Sequence, residues 1–163
     1  YKVVSVENEN GEMVDTIKIS GTAEKISNPG KKQVWRITRN SDGKSQGDYV
    51  ALWDEDPREL TDGLYMFHPN YPYLNKTVVD YTARPILQDV FVDGELVYDL
   101  PALNDIRDYT AEHIESLWSE YRRDLNPQEY PVDLSQAAWD HKMNLIKELR
   151  EYVSEVAKEY EEN

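Results

Sequence analysis

The apolar residues change their spacing at Pro101, and that change limits what the chain can become. Before it they come in short alternating runs: residues 33–39 set Val34, Arg36 and Thr38 against Trp35 and Ile37. After it, Leu103, Ile106, Thr110, Ile114, Leu117, Tyr121 and Leu125 recur at three-to-four spacing. A period of two marks a half-buried strand, and a period near 3.6 marks an amphipathic helix. Strands followed by helices imply an α+β arrangement. Residues 1–100 are expected to form a β-rich part, built of hairpins or a small antiparallel sheet. Residues 101–163 are expected to form an antiparallel two-helix hairpin.

Within the first part the strand candidates are residues 1–6, 14–20, 33–39, 48–53, 64–67, 76–82, 89–92 and 96–98. Asp42-Gly43 and Asp93-Gly94 favour tight hairpin turns, because these residues tolerate positive φ. Trp35 and Trp53 flank the first hairpin, and at least one is expected in the core. In the second part Pro101 suits the start of a helix. Asn126-Pro127 stops that helix, since proline disfavours helical backbone in the residue before it. Asp133 and Gln136 have the spacing of an N-cap and its N3 partner, a cap worth about 1 kcal/mol. The second helical stripe is Leu134, Ala138, His141, Leu145, Leu149, Tyr152 and Val156, with a charged tail from Glu151 expected to fray.

Composition excludes several classes of function. The chain has 163 residues and no cysteine, which removes disulfides, thiolate nucleophiles and cysteine metal sites. No run of apolar residues is long enough for a membrane helix, and no signal-peptide pattern opens the chain. Cytoplasmic residence fits. The first residue, Tyr1, already lies inside an apolar run, which reads as a cut within a strand of a longer protein. A net charge of −14 argues against nucleic acid or an anionic membrane as partner.

The charge is uneven. Residues 1–50 hold eight Lys/Arg against seven Asp/Glu, and residues 51–163 hold ten against twenty-five. Between positions 16 and 39, Lys18, Lys25, Lys31, Lys32, Arg36 and Arg39 face only Glu24. Lysines beside backbone N–H groups freed by Gly21 and Gly30 suit phosphate oxygens. Neutralising the acidic helices is the alternative use for them.

Other chemistry is poorly served. His68, His113 and His141 lack the spacing of a zinc site, and His141 on an apolar stripe reads as a packing residue. The acidic runs at 54–56 and 159–162 lack the calcium-loop pattern and read as solvated surface. No nucleotide-binding glycine motif and no nucleophile elbow is present. No residue stands out as catalytic or metal-binding.

Six stretches follow one another along the chain: Tyr1-Lys2-Val3-Val4, Ile17-Lys18-Ile19-Ser20, the run from Glu24 to Val34, Ala83-Arg84-Pro85-Ile86-Leu87, the run from Val97 to Leu103, and Asn-Pro-Gln-Glu-Tyr-Pro-Val-Asp-Leu-Ser at 126–135. In that order they resemble the C-terminal part of nicotinate phosphoribosyltransferase of the Gram-positive bacterial kind. The resemblance implies an enzyme of NAD salvage that joins nicotinate to 5-phosphoribosyl 1-diphosphate, driven by ATP with magnesium through a phosphorylated histidine. It also implies that this histidine and the α/β barrel lie upstream of Tyr1, so that this chain alone binds no cofactor and is inactive. Its partner would be the rest of the same polypeptide, in a homodimer, with the β-rich part packed on the barrel and N-terminal region. In the related nicotinamide-using enzymes, lysines of the corresponding stretch approach sugar phosphates. That likeness implies phosphate contact for Lys18 and Lys25 first, then Lys31 and Lys32. The opposing expectation is a non-catalytic interaction domain that binds a partner through the Trp35/Trp53 hairpin.

Overall fold

The computed structural model describes residues 3–22 and 25–161. In chain order the strands are β1 (Ser5–Glu7), β2 (Met13–Asp15), β3 (Lys32–Arg39), β4 (Ser45–Leu52), β5 (Leu64–Phe67), β6 (Asn75–Val78), β7 (Tyr81–Pro85), β8 (Phe91–Val92), β9 (Glu95–Leu96) and β10 (Val132–Leu134). The helices are α1 (Leu103–Ser116), α2 (Ser119–Arg122) and α3 (Gln136–Glu161). Six strands form one sheet in the order β6-β5-β10-β4-β3-β7. β10 runs parallel to β4 and antiparallel to β5, so the sheet is mixed. β1–β2 and β8–β9 are separate two-stranded ribbons.

Alternation in β3 and β4 builds the core. Trp35 pairs with Tyr49 and Ile37 with Gly47, and β7 adds Ala83 opposite Ile37. Trp35, Ile37, Tyr49 and Ala83 form one buried cluster with Ala51, Leu64, Met66 and Val78. Ile37, Leu64 and Met66 are wholly enclosed, and burying each such side chain contributes about 1.5–3 kcal/mol. By the same alternation Arg36, Asp48 and Arg84 lie on the opposite face. Arg36 there grips Asp48 through two bonds, Nε to Oδ1 at 2.9 Å and a terminal nitrogen to Oδ2 at 3.0 Å. The Tyr130 hydroxyl donates to Asp48 at 3.2 Å, which ties the 126–135 stretch to the sheet.

The expected two-helix hairpin is absent, and the sheet is larger and mixed rather than small and antiparallel. Residues 132–134, read as the run-up to a helix, instead enter the middle of the sheet between strands far away in sequence. Asp133 and Leu134 are 5% and 1% exposed there. The cap also moves by two residues. Asp133 is a strand residue, and Ser135 Oγ accepts the Ala138 N–H at 3.0 Å to start α3. α3 packs by Ala138, Lys142 and Ile146, all buried, with Trp139 edge-on to Phe67. α1 buries no residue at all. The first helical pattern breaks at Leu117-Trp118, both extended, because the Trp118 indole N–H donates to the Ser45 carbonyl at 3.0 Å.

Smaller expectations divide. Asp93 and Gly94 both have positive φ, +51° and +85°, as a tight hairpin turn requires. Residues 76–82 are two strands, broken at Asp80 with φ +50°. Of residues 14–20 only the first two pair in a ribbon. The strand expected at 1–6 is seen from Ser5, and Tyr1 and Lys2 lie outside the described residues, as do Glu24 and Glu162. The tail expected to fray is helical as far as Glu161.

Candidate functional site

The basic segment divides. Lys32, Arg36 and Arg39 lie on β3, Arg36 paired with Asp48 and Arg39 with Asp42. Residues 16–31 fold as a loop between β2 and β3, and local hydrogen bonds give it its shape. Ser27 closes it: its Oγ accepts the Lys18 N–H at 2.8 Å and its own N–H donates to the Lys18 carbonyl at 3.1 Å. Lys18 is thereby drawn across from the turn that carries Lys25, whose N–H donates to the Thr22 carbonyl at 3.0 Å. Both side chains are exposed, and neither forms an ion pair with a described carboxylate.

Lys31 and Lys32 point to different work. Lys31 Nζ sits 3.6 Å from the centre of the Trp53 ring, a cation–π contact. Lys32 Nζ donates to the carbonyls of Asn28 at 2.8 Å, Pro29 at 2.9 Å and Gly30. An ammonium has three donors, and these bonds make Lys32 an internal cap of the loop. Gly30 has φ +75° and no room for a side chain, since a Cβ would stand 2.8 Å from Asp15 Oδ2. Its N–H donates to the Val4 carbonyl at 3.3 Å and is not free for an anion. Asp15 in turn meets His141 Nε2 at 2.7 Å, which fastens the β1–β2 ribbon and the loop to α3. A cavity of about 240 Å³ lies there, lined by Asp15, Gly30, Lys31, Trp53 and His141 among others.

The structure brings Lys18 and Lys25 onto one loop with Lys31 further along it, and withdraws Lys32 into the loop's own backbone. Among the described residues no group of histidines and carboxylates could hold a metal ion. His68 is a loop staple, its Nδ1 accepting the N–H groups of Asn70 and Tyr71 at 3.1 Å each. Trp35 is 6% exposed and belongs to the core, so the first hairpin offers only Trp53 as an aromatic contact.

A larger cavity, about 420 Å³, lies at the other end of the sheet, lined by His68, Tyr71, Lys76, Tyr130 and Asp133 among others. Sequence reasoning missed it, because it exists only once β10 stands beside β5. Lys76 Nζ approaches Asp133 Oδ2 at 3.7 Å and donates to the Gln46 carbonyl. Burial raises the Asp133 carboxyl above its ordinary range and lowers the Lys76 ammonium, and their mutual attraction opposes both shifts. Burial also pushes the Tyr130 hydroxyl up to about 12. Two partly buried opposite charges this close form a latch between β6 and β10.

Comparison with known proteins gives one family throughout. A family model described as nicotinate phosphoribosyltransferase C-terminal domain matches residues 31–142. It takes in Lys31 and Lys32 and leaves Lys18 and Lys25 outside. Nicotinate phosphoribosyltransferase of Bacillus subtilis (strain 168) is 42% identical over 98% of this chain and 32% of its own length. The Dictyostelium discoideum enzyme of the same name is 30% identical over 92% of this chain and 27% of its own length. The crystal structure of human nicotinic acid phosphoribosyltransferase matches with a TM-score of 0.61 and 25% identity, over 76% of this chain and 23% of that one. The chain spans about a third or less of the length of these relatives.

Proposed function

This chain belongs to the nicotinate phosphoribosyltransferase family through its C-terminal domain, and from that premise we propose that it completes an enzyme making nicotinate mononucleotide. In that reading nicotinate and 5-phosphoribosyl 1-diphosphate react, with ATP and magnesium, in a catalytic part that this chain does not include. The observation that carries it is 42% identity to a nicotinate phosphoribosyltransferase over 98% of the chain. The rest of the polypeptide is then the domain's partner, and the setting is a cytoplasmic homodimer. No described helix is long and apolar enough to cross a membrane.

The exposed ammonium groups of Lys18 and Lys25, on a loop fixed by Ser27 and capped by Lys32, are this domain's contribution toward the phosphorylated substrates. Lys31 stands behind them and is partly engaged by Trp53. Lys32 keeps the loop in shape. A hydrogen bond to a charged group contributes about 1.5–3 kcal/mol. In the intact enzyme the double change Lys18→Ala with Lys25→Ala therefore raises the KM for 5-phosphoribosyl 1-diphosphate or ATP about tenfold or more, with the fold unchanged by circular dichroism. Unaltered KM values for both substrates would remove these lysines from the site.

A further inference from the structure

Helix α1 is amphipathic, yet it buries nothing. Its sheet-facing side is Tyr109 and His113, one turn apart. The Arg84 guanidinium lies 5.9 Å from the Tyr109 ring centre and 3.5 Å from His113 Nε2, and Lys44 Nζ donates to the Glu115 carbonyl at 2.7 Å. Polar contacts thus hold the helix. At 3.6 residues per turn, Leu103, Ile106 and Ile114 form an adjoining stripe, and they are 63%, 45% and 47% exposed. Just before α1, Phe91 and Leu96 on the β8–β9 ribbon and the linking Leu100 are 66%, 58% and 82% exposed.

From Leu87 to Ile114 eleven large apolar side chains are exposed in one continuous stretch of chain. Tyr109 is turned to Arg84 on the sheet, which leaves ten. Singly scattered exposed apolar side chains are ordinary on a protein surface, whereas here the ribbon, the linker and the helix carry them in succession. A second copy suits this face poorly. Asp105, Asp108, Glu112 and Glu115 against Arg107 make α1 acidic in a chain of net charge −14, and pairing it with itself sets like charges together. The relatives offer another occupant, since the matched region is about a third or less of their length and the family match at 31–142 contains the whole stretch.

We infer that residues 87–114 are the docking face for the larger, preceding part of the same nicotinate phosphoribosyltransferase polypeptide. The inference rests on the proposed function and goes beyond it, because the sequence pointed to the β-rich part as a whole and this assigns the contact to the β8–β9 ribbon and α1. Deuterium exchange tests it on two proteins: this chain alone, and the B. subtilis relative carrying this chain in place of its matching C-terminal region. In the second protein the α1 amides exchange at least about tenfold more slowly, and β3–β4 amides do not change. Phe91→Asp with Ile106→Asp, both at exposed positions, abolishes that protection while the circular dichroism of the chain alone stays the same. If the joined protein fails to fold, the chain is mixed with the relative's preceding region and read in the same way. An active joined enzyme whose α1 exchanges as fast as in the chain alone overturns the face and leaves the family reading standing. Inactivity with no segment protected overturns both. Protection of α1 in the chain alone that grows with protein concentration assigns the face to a second copy and also overturns it.

Discussion

Replacing Lys76 by methionine destabilises the chain by about 1–3 kcal/mol at neutral pH, the cost of leaving a buried polar group without its partner. Methionine keeps the length of the side chain and removes the ammonium that stands 3.7 Å from Asp133 Oδ2 and donates to the Gln46 carbonyl. The Asp133 side chain is only 7% exposed, so water replaces the lost partner poorly. The pH dependence identifies the cause. Burial already holds the folded Asp133 carboxyl above its ordinary value, and loss of Lys76 raises it further. Between the ordinary aspartate pKa of about 3.9 and that raised value, the folded variant binds more protons than the unfolded chain. Its stability therefore falls as pH rises through the window, and the deficit against the parent is largest above it. Urea unfolding at pH 7 and near pH 4 measures this: the gap shrinks at the lower pH. A gap that stays constant would assign the loss to packing alone.

Gly47→Val costs about 2–5 kcal/mol by combining backbone strain with crowding. Gly47 has φ +136°, and a Cβ there would stand 3.0 Å from the Pro131 carbonyl oxygen and 3.1 Å from Pro131 Cβ. This is where the chain from residue 126 comes down beside β4, with the Asp48 N–H donating to the Pro131 carbonyl at 3.0 Å. A valine side chain pries β10 away from the strand that receives it. Gly43→Val is the control: its φ is +67°, but nothing lies within 4 Å of the added Cβ. It loses only the left-handed backbone cost of about 1–2 kcal/mol. Equal losses at the two glycines, by thermal or urea unfolding, would mean that the close approach of Pro131 carries no stability.

These two positions also show what the sequence could not reveal. Two-residue alternation places Trp35 and Ile37 on one side of their strand, and both are buried there, because β3 pairs with a near neighbour. The 132–134 strand is three residues long and is flanked by proline, so no period can be read from it. Its partners, β4 and β5, lie more than sixty residues upstream. Once β10 is misread, the helical pattern after it finds only the first helix as a partner, and a hairpin is the natural result. The pairing of buried Asp133 with Lys76 is invisible for the same reason. The basic segment at 16–39 was legible as charge, since six cations against one acid need no fold to count. What charge alone could not separate was Lys32, bonded to three loop carbonyls, from Lys18 and Lys25, which face solvent. The stretch at 126–135 served to recognise the family, and in the fold its physical role is to close the sheet.

The most direct measurement is nicotinate mononucleotide formation by the B. subtilis relative in which this chain replaces the matching C-terminal region. The predicted result is product formation that depends on 5-phosphoribosyl 1-diphosphate in the joined protein and none by this chain alone. A folded joined protein without activity, or product formed by the isolated chain, would contradict it.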